Sequence, residues 1–168
     1  NALGISNHKK GYLMSNVSLE QQVERLTAIE DIKQMKARYC SYADNGYDPD
    51  GMASLFTEDA IWDGGDFGRY EGVQDIKSFF SNLSNEIVFA IHPVMNPLIT
   101  IDGDSANAKW WLIMWCTMMV DGKKEGRWFA AEYDDYLVKQ NGSWLFKHIK
   151  VEGKFLASHE EGWANQTG

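Results

Sequence analysis

Cysteine is scarce in this chain. Cys40 and Cys116 are the only two, too few for a disulfide framework and without zinc-ligand spacing. A reducing, cytoplasmic setting is the expectation that follows. Positive charge is short as well: 16 Lys and Arg stand against 24 Asp and Glu, a formal net charge of −8. An acidic protein repels phosphate backbones, and the basic residues form no stripe, so nucleic acid is not an expected partner. The sequence has no run of roughly 18 apolar residues, the length a helix needs to cross a bilayer. Its first residues lack the basic-then-apolar order of a secretory signal, and no membrane partner is expected. A phosphate loop, a dinucleotide fingerprint, a GxSxG elbow and a calcium-loop spacing are also missing. The acidic stretch Asp48, Asp50, Glu58, Asp59, Asp63 and Asp66 therefore reads as a solvated rim, and neither metal nor organic cofactor is expected.

Large soft side chains, in contrast, are plentiful: 7 Trp, 7 Tyr, 8 Phe and 7 Met. Such residues build a core or line an adaptable apolar pocket. Their order along the chain is informative. Residues 1–17 have no periodicity and read as a mobile tail. Met14-Ser15-Asn16 looks like a natural start, and the residues before it are expected not to be wholly native. Ser18 and Gln21 make a capping box. Leu19, Val23, Leu26, Ile29, Ile32, Met35 and Tyr39 then recur at helical steps as far as Asp44-Asn45-Gly46, a helix stop. A short helical turn, a strand at 60–63 ending in Gly64-Gly65, a return strand at 69–71 and an amphipathic helix at 73–83 follow.

Beyond residue 86 the period changes to two. A strand at 87–101 holds two of the three prolines, Pro93 and Pro97, which argues for an edge or a bulge. Long strands at 106–120, 127–139 and 144–155 are joined by Asp121-Gly122 and Asn141-Gly142, strong hairpin signals. The predicted organisation is one domain over 18–156 with a tail at 157–168. Its class is α+β, with a strongly curved antiparallel sheet wrapped around N-terminal helices. Along 106–120, Trp110, Leu112, Met114 and Cys116 share one face, and Trp111, Ile113, Trp115 and Met119 share the other. The second face suits a partner subunit, in a homodimer or a homotrimer.

Three residues could carry chemistry. Asp44 ends the first helix, where the dipole disfavours a carboxylate and a hydrogen-bonding partner would be welcome. Taken alone, it is more simply an ordinary Asp-Asn-Gly stop with a solvated carboxylate. His92 lies in an apolar run, as a core histidine or as a base that needs a carboxylate from elsewhere. Tyr39 is a core tyrosine unless the helix end turns it into a pocket.

The ordered set of motifs resembles a known family. It comprises Ala28-Ile29-Glu30-Asp31-Ile32-Lys33, Ala37-Arg38-Tyr39, Tyr42-Ala43-Asp44, Leu55-Phe56-Thr57-Glu58-Asp59-Ala60, Gly72, His92-Pro93-Val94-Met95-Asn96 and Ile101-Asp102-Gly103-Asp104-Ser105-Ala106. Together they are similar to the SnoaL-like group of the nuclear-transport-factor-2-like superfamily. The nearest branch holds scytalone dehydratase, bile-acid 7α-dehydratase and hexachlorocyclohexane dehydrochlorinase. The resemblance implies a cone-shaped, cystatin-like α+β barrel. It implies that Asp44 orients His92, that His92 removes a proton from carbon, and that Tyr39 lies near a leaving hydroxyl. The expected activity is a cofactor-independent lyase (a dehydratase) or isomerase on a small apolar, ring-bearing molecule. Trp62, Phe89, Asn96, Trp110, Met114, Phe129 and His148 are the expected substrate contacts. The same fold also hosts noncatalytic binding modules and small subunits of ring-hydroxylating dioxygenases, and fold alone does not choose among them.

Overall fold

The computed structural model describes residues 17–165. The predicted N-terminal tail, save Val17, lies outside them. Ser18 caps helix α1 (Leu19–Asp44): its hydroxyl accepts from the Gln21 N–H while the Gln21 side chain accepts from the Ser18 N–H. A cap of this kind contributes about 1 kcal/mol. The helix buries Ala28, Ile32, Met35, Tyr39 and Ala43, whereas Leu19, Val23 and Leu26 of the predicted stripe stay exposed. The first turns project past the sheet, so periodicity alone overstated the buried length.

Helix α2 (Pro49–Ala53) starts on the Asp48 carboxylate, which accepts from the Asp50 and Gly51 N–H groups. Strand β1 (Phe56–Asp63), a turn of 3-10 helix at Gly65–Phe67, strand β2 (Arg69–Glu71) and helix α3 (Val73–Leu83) follow. Strands β3 (Ile87–Ile91), β4 (Val94–Asp102), β5 (Ser105–Val120), β6 (Lys123–Gln140) and β7 (Ser143–Ser158) complete the fold. The run predicted as one strand at 87–101 is thus two. Pro93 offers no N–H, the His92 N–H turns away to a side chain, and the ladder breaks between them.

The strand order is β2-β1-β7-β6-β5-β3, with β4 also pairing β5. Asp121-Gly122 and Asn141-Gly142 close the two long hairpins, all four residues at positive φ as the tight turn requires. One pairing departs from expectation: β1 runs parallel to β7, so the sheet is mixed rather than wholly antiparallel. No short turn links these two strands, and nothing in their own sequences dictates their relative direction. Register shifts in β1, β3, β4, β6 and β7 bend the sheet around α1 and leave it unclosed. The inward residues of β5 are Ala106, Ala108, Trp110, Leu112, Met114 and Cys116, while Trp111, Ile113 and Trp115 face out. No helix among the described residues is long and apolar enough to cross a membrane.

Candidate active site

The end of α1 sets the geometry. Gly46 and Tyr47 follow Asp44 and Asn45, both with positive φ (73° and 58°). This reverses the chain: the Tyr47 N–H returns to the Ala43 carbonyl and the Asp48 N–H to the Tyr42 carbonyl. A tyrosine in the left-handed region costs roughly 1–3 kcal/mol. Its ring is buried, stacked on Phe80 and set edge-on to the His92 ring at 5.9 Å between centroids.

His92 sits in the break between β3 and β4, its side chain buried. One carboxylate oxygen, Asp44 Oδ1, accepts from the His92 backbone N–H at 2.9 Å and pairs with His92 Nδ1 at 2.7 Å. The carboxylate only accepts, so Nδ1 carries the proton and Nε2 is left as the basic nitrogen. Among the described residues Nε2 makes no hydrogen bond, and His92 lines a cavity under the sheet. The Asp44 side chain keeps about a third of its surface in water, 34%.

The cavity measures about 40 Å³ and is walled by Tyr39, Tyr47, Trp62, Phe67, Phe80, Leu83, Leu112, Met114, Phe129, Tyr133 and Val151, among others. Its walls are apolar apart from three tyrosine hydroxyls, the Trp62 indole N–H and the His92 ring. Trp62 Nε1 donates to the Tyr39 hydroxyl at 3.0 Å, so the proton of Tyr39 remains available to donate. Burial pushes the hydroxyls of Tyr39, Tyr47 and Tyr133 well above the usual tyrosine range, so all three act as neutral donors.

Behind Tyr39 and Tyr133 lies a second polar pair. Lys36 Nζ bonds Asp135 Oδ2 at 2.9 Å with both side chains fully buried. The ammonium lies 3.3 Å from the Tyr133 ring centroid and 4.9 Å from that of Tyr39. Burial pushes the Asp135 carboxyl above the carboxylate range, and the Lys36 charge opposes that push. Asp135 Oδ1 and Trp110 Nε1, neighbours in this network, lack well-formed hydrogen bonds.

Of the residues singled out from sequence, Asp44, His92, Tyr39, Trp62, Met114 and Phe129 come together here. Phe89, Asn96, Trp110 and His148 do not. A shift of register between Ile87 and Phe89 breaks the alternation of β3, so Ala90 points in and Phe89 out. Phe89 lies instead in an outer groove with Trp115, Trp128 and His159. Asn96 forms part of a bulge with positive φ and faces solvent. Trp110 is inward but sits against Lys36 rather than the cavity. His148 follows a register shift that turns it out beside Tyr136 and Ile61. Sequence reasoning missed Tyr47, Tyr133 and Phe67. The alternation Phe129-Ala131-Tyr133 could have found Tyr133. Nothing in a Gly-Tyr-Asp-Pro loop announces that Tyr47 turns inward.

Fold and cavity define a one-sided α+β cone that encloses an apolar chamber with a histidine at its wall. The chain belongs to the SnoaL-like domain family, whose model matches residues 24–150. No sequence of a curated protein matches it. Among solved structures it is similar to a scytalone dehydratase-like protein from Novosphingobium aromaticivorans, with 19% identity over 82% of this chain and 91% of that one, and a TM-score of 0.75. A hexachlorocyclohexane dehydrochlorinase, LinA type 2, shares 19% identity over 82% and 92% of the two chains, with a TM-score of 0.75. An NTF2-like protein with a cystatin-like fold from Novosphingobium aromaticivorans shares 22% identity over 80% and 88%, with a TM-score of 0.60. At these identities the likeness is one of fold.

Proposed function

We propose that this protein is a cofactor-independent lyase or isomerase that takes a carbon-bound proton from a small, largely apolar, ring-bearing molecule, with His92 as the base. The observation that carries the reading is the single Asp44 oxygen held by both the backbone N–H and Nδ1 of His92. That arrangement fixes the ring, fixes the tautomer and stabilises the imidazolium once Nε2 is protonated. The substrate presents an acidic C–H next to a carbonyl, whose oxygen accepts from a tyrosine hydroxyl. His92 Nε2 takes the proton, and the C–H electron pair becomes the carbon–carbon double bond of an enolate as the carbonyl π pair moves onto the oxygen that the tyrosine holds.

In a dehydration the enolate then re-forms the carbonyl, its carbon pair shifts toward the neighbouring carbon, and the C–O bond there breaks. Buried tyrosines with raised pKa values give up a proton reluctantly, so the imidazolium returns its proton to the departing hydroxide as water. A single histidine acting twice from one wall requires the proton and hydroxyl to leave the same face of the substrate. In an isomerisation the same proton returns to a different carbon. Tyr39, with Tyr133 beside it, orients oxygen by hydrogen bonding. A neutral ligand is favoured because no Lys or Arg among the described residues lines the cavity to offset the desolvation of an anion.

Incorporation of solvent deuterium into cyclic ketones such as 2-tetralone, followed by NMR, tests the base directly. His92→Ala should slow exchange by about 10²–10⁴-fold. Full exchange in that variant would sink the assignment, and binding without exchange would support a noncatalytic binding module, including one related to dioxygenase small subunits. The outward Trp111, Ile113 and Trp115 support a second copy as the partner, as homodimer or homotrimer. Light scattering at micromolar concentration should give a multiple of the 19.1 kDa chain mass; a monomer would refute this. The buried free thiols Cys40 and Cys116 suit a reducing, cytoplasmic location.

A further inference from the structure

The cavity under His92 is too small for the molecule it is proposed to hold. It measures about 40 Å³, whereas an apolar cavity that takes one benzene is roughly 150 Å³. Space of the right size lies next to it. A groove of about 610 Å³ beside Gly153 shares the walls Phe67, Phe129 and Val151 with the cavity, and one of about 470 Å³ beside α3 shares Phe67 and Leu83. Phe67 is the side chain common to all three.

Its support differs from that of the other shared walls. Phe129 and Val151 sit in the paired strands β6 and β7, and Leu83 in α3. Phe67 sits on the 3-10 turn, half-buried, its ring edge-on to Phe129 at 5.5 Å. Glycines flank the turn. Gly65 and Gly68 hold φ of 61° and 99°, which a side chain would strain. A Cβ on Gly64 would lie 2.3 Å from the Trp62 ring, so the turn lies directly against the cavity wall. Two bonds anchor Phe67: its N–H to the Gly64 carbonyl and the Tyr70 hydroxyl to its own carbonyl, both 3.2 Å. Tyr70 belongs to strand β2 and its ring stacks on Phe79 of α3, so its hydroxyl bond is the tie to the sheet that the turn must break in moving outward.

We propose that Phe67 is the size-determining residue of the site and its door: a ring reaches His92 only when the glycine-flanked turn carries the phenyl group outward, joining the cavity to the groove beside Gly153. The proposal rests on the cavity being the binding site. Its corollary is a substrate of at least two fused rings, one under His92 and one in the position Phe67 vacates.

The test uses benzyl alcohol and 2-naphthol as one-ring and two-ring probes, titrated by NMR on the His92 ring protons, with association rates from stopped-flow tryptophan fluorescence. Wild type, Phe67→Ala, Phe67→Leu and Phe67→Trp are compared, with Leu83→Ala as a wall removed from a fixed element. Near-UV circular dichroism verifies folding, and the Leu variant keeps the series informative should the Ala variant fold poorly. Phe67→Ala should bind 2-naphthol about tenfold tighter, on the scale of small apolar discriminations, and associate faster. Phe67→Leu should fall between it and wild type, and Phe67→Trp below wild type. Wild-type association should level off with rising probe concentration as opening becomes limiting, and Phe67→Ala should not. Equal affinities and rates across the Phe67 series, the same rate gain in Leu83→Ala, or no binding by any variant would overturn the proposal. Binding indifferent to Phe67 with deuterium exchange still dependent on His92 would overturn it while leaving the base standing. Binding governed by Phe67 with His92→Ala fully active would do the reverse.

Discussion

Helix α1 carries two acid–base pairs two turns apart, and they have opposite characters. Lys36 reaches Asp135 in complete burial, closed off by the Tyr133 and Tyr39 rings. Asp44 reaches His92 at the end of the same helix, with part of the carboxylate still in water, His92 at the cavity wall and Nε2 without a hydrogen bond among the described residues. Cys40 lies between them on the same face. The sealed pair has no exposed surface through which to exchange a proton with water. It can only hold α1 against β6 and fix two cavity tyrosines by their rings. The open pair keeps one nitrogen idle and reachable, which is what a base requires. One pair is thus spent entirely on holding the fold, while the other leaves a ring nitrogen free for the chemistry proposed for it.

The comparison can be broken most severely at the sealed end. Lys36→Met leaves Asp135 charged among apolar side chains and should cost about 3–5 kcal/mol in urea denaturation, while Lys36→Met with Asp135→Leu should come back close to wild type. The sign with pH follows from the raised Asp135 pKa. A group held more protonated in the folded than in the unfolded state contributes stability below its unfolded pKa, here 3.8, and loses that contribution as pH rises through the folded value. The defect of Lys36→Met should therefore shrink as the solution is acidified from neutrality. A defect that grew on acidification would refute the account.

At the open end the effect is smaller in stability and larger in chemistry. Asp44→Asn removes a charge-assisted acceptor and should cost about 1.5–3 kcal/mol. The sharper readout is 15N NMR of the His92 ring, which should report the Nδ1–H form in the wild type and lose it in the variant. An unchanged tautomer would mean that Asp44 does not orient the His92 ring.

Cys40 tests the ground between the two pairs, with Cys116 as its companion on β5. Burial pushes both thiols up to about 11, so iodoacetamide at pH 8 should leave them unmodified in the native protein and label both after unfolding. Because the folded values lie above the ordinary thiol value of 9.0, their contribution to stability is complete below pH 9 and declines as pH rises through about 11. Native labelling at pH 8 as fast as that of a free thiol would show that water reaches the helix face between the pairs.

Much of this was legible in the residues. Ser18 with Gln21, Asp121-Gly122, Asn141-Gly142 and the strict alternation of β5 are local signals, and each acts within a few residues. Asp44, His92 and Tyr39 were legible as a set only through their order along the chain. What escaped depends on distant partners. The parallel pairing of β1 with β7 is decided by the closing of the sheet, not by either strand's composition. Register shifts at Val88 and Lys147 reverse inside and outside, which turned Phe89 and His148 away from the cavity. Lys36 reads as one more charged residue on a polar helix until Asp135 arrives at an inward position of β6.

That meeting also orders the folding of the chain. Lys36 and Asp135 are separated by 99 residues, and β1 pairs with β7, the last strand of the chain. Loop closure over such distances costs entropy before any contact offsets it. The meander of β5, β6 and β7, joined by tight turns, carries the lowest loop-closure cost, and docking of α1 on it carries a higher one. Until then both charges remain hydrated, and the inner face of β5 is as exposed as its outer one. Dehydrating the ion pair, covering the aromatics and shaping the chamber under His92 are thus one late event. A nascent or heat-stressed chain held short of that event offers chaperones, or other copies of itself, two apolar faces rather than one.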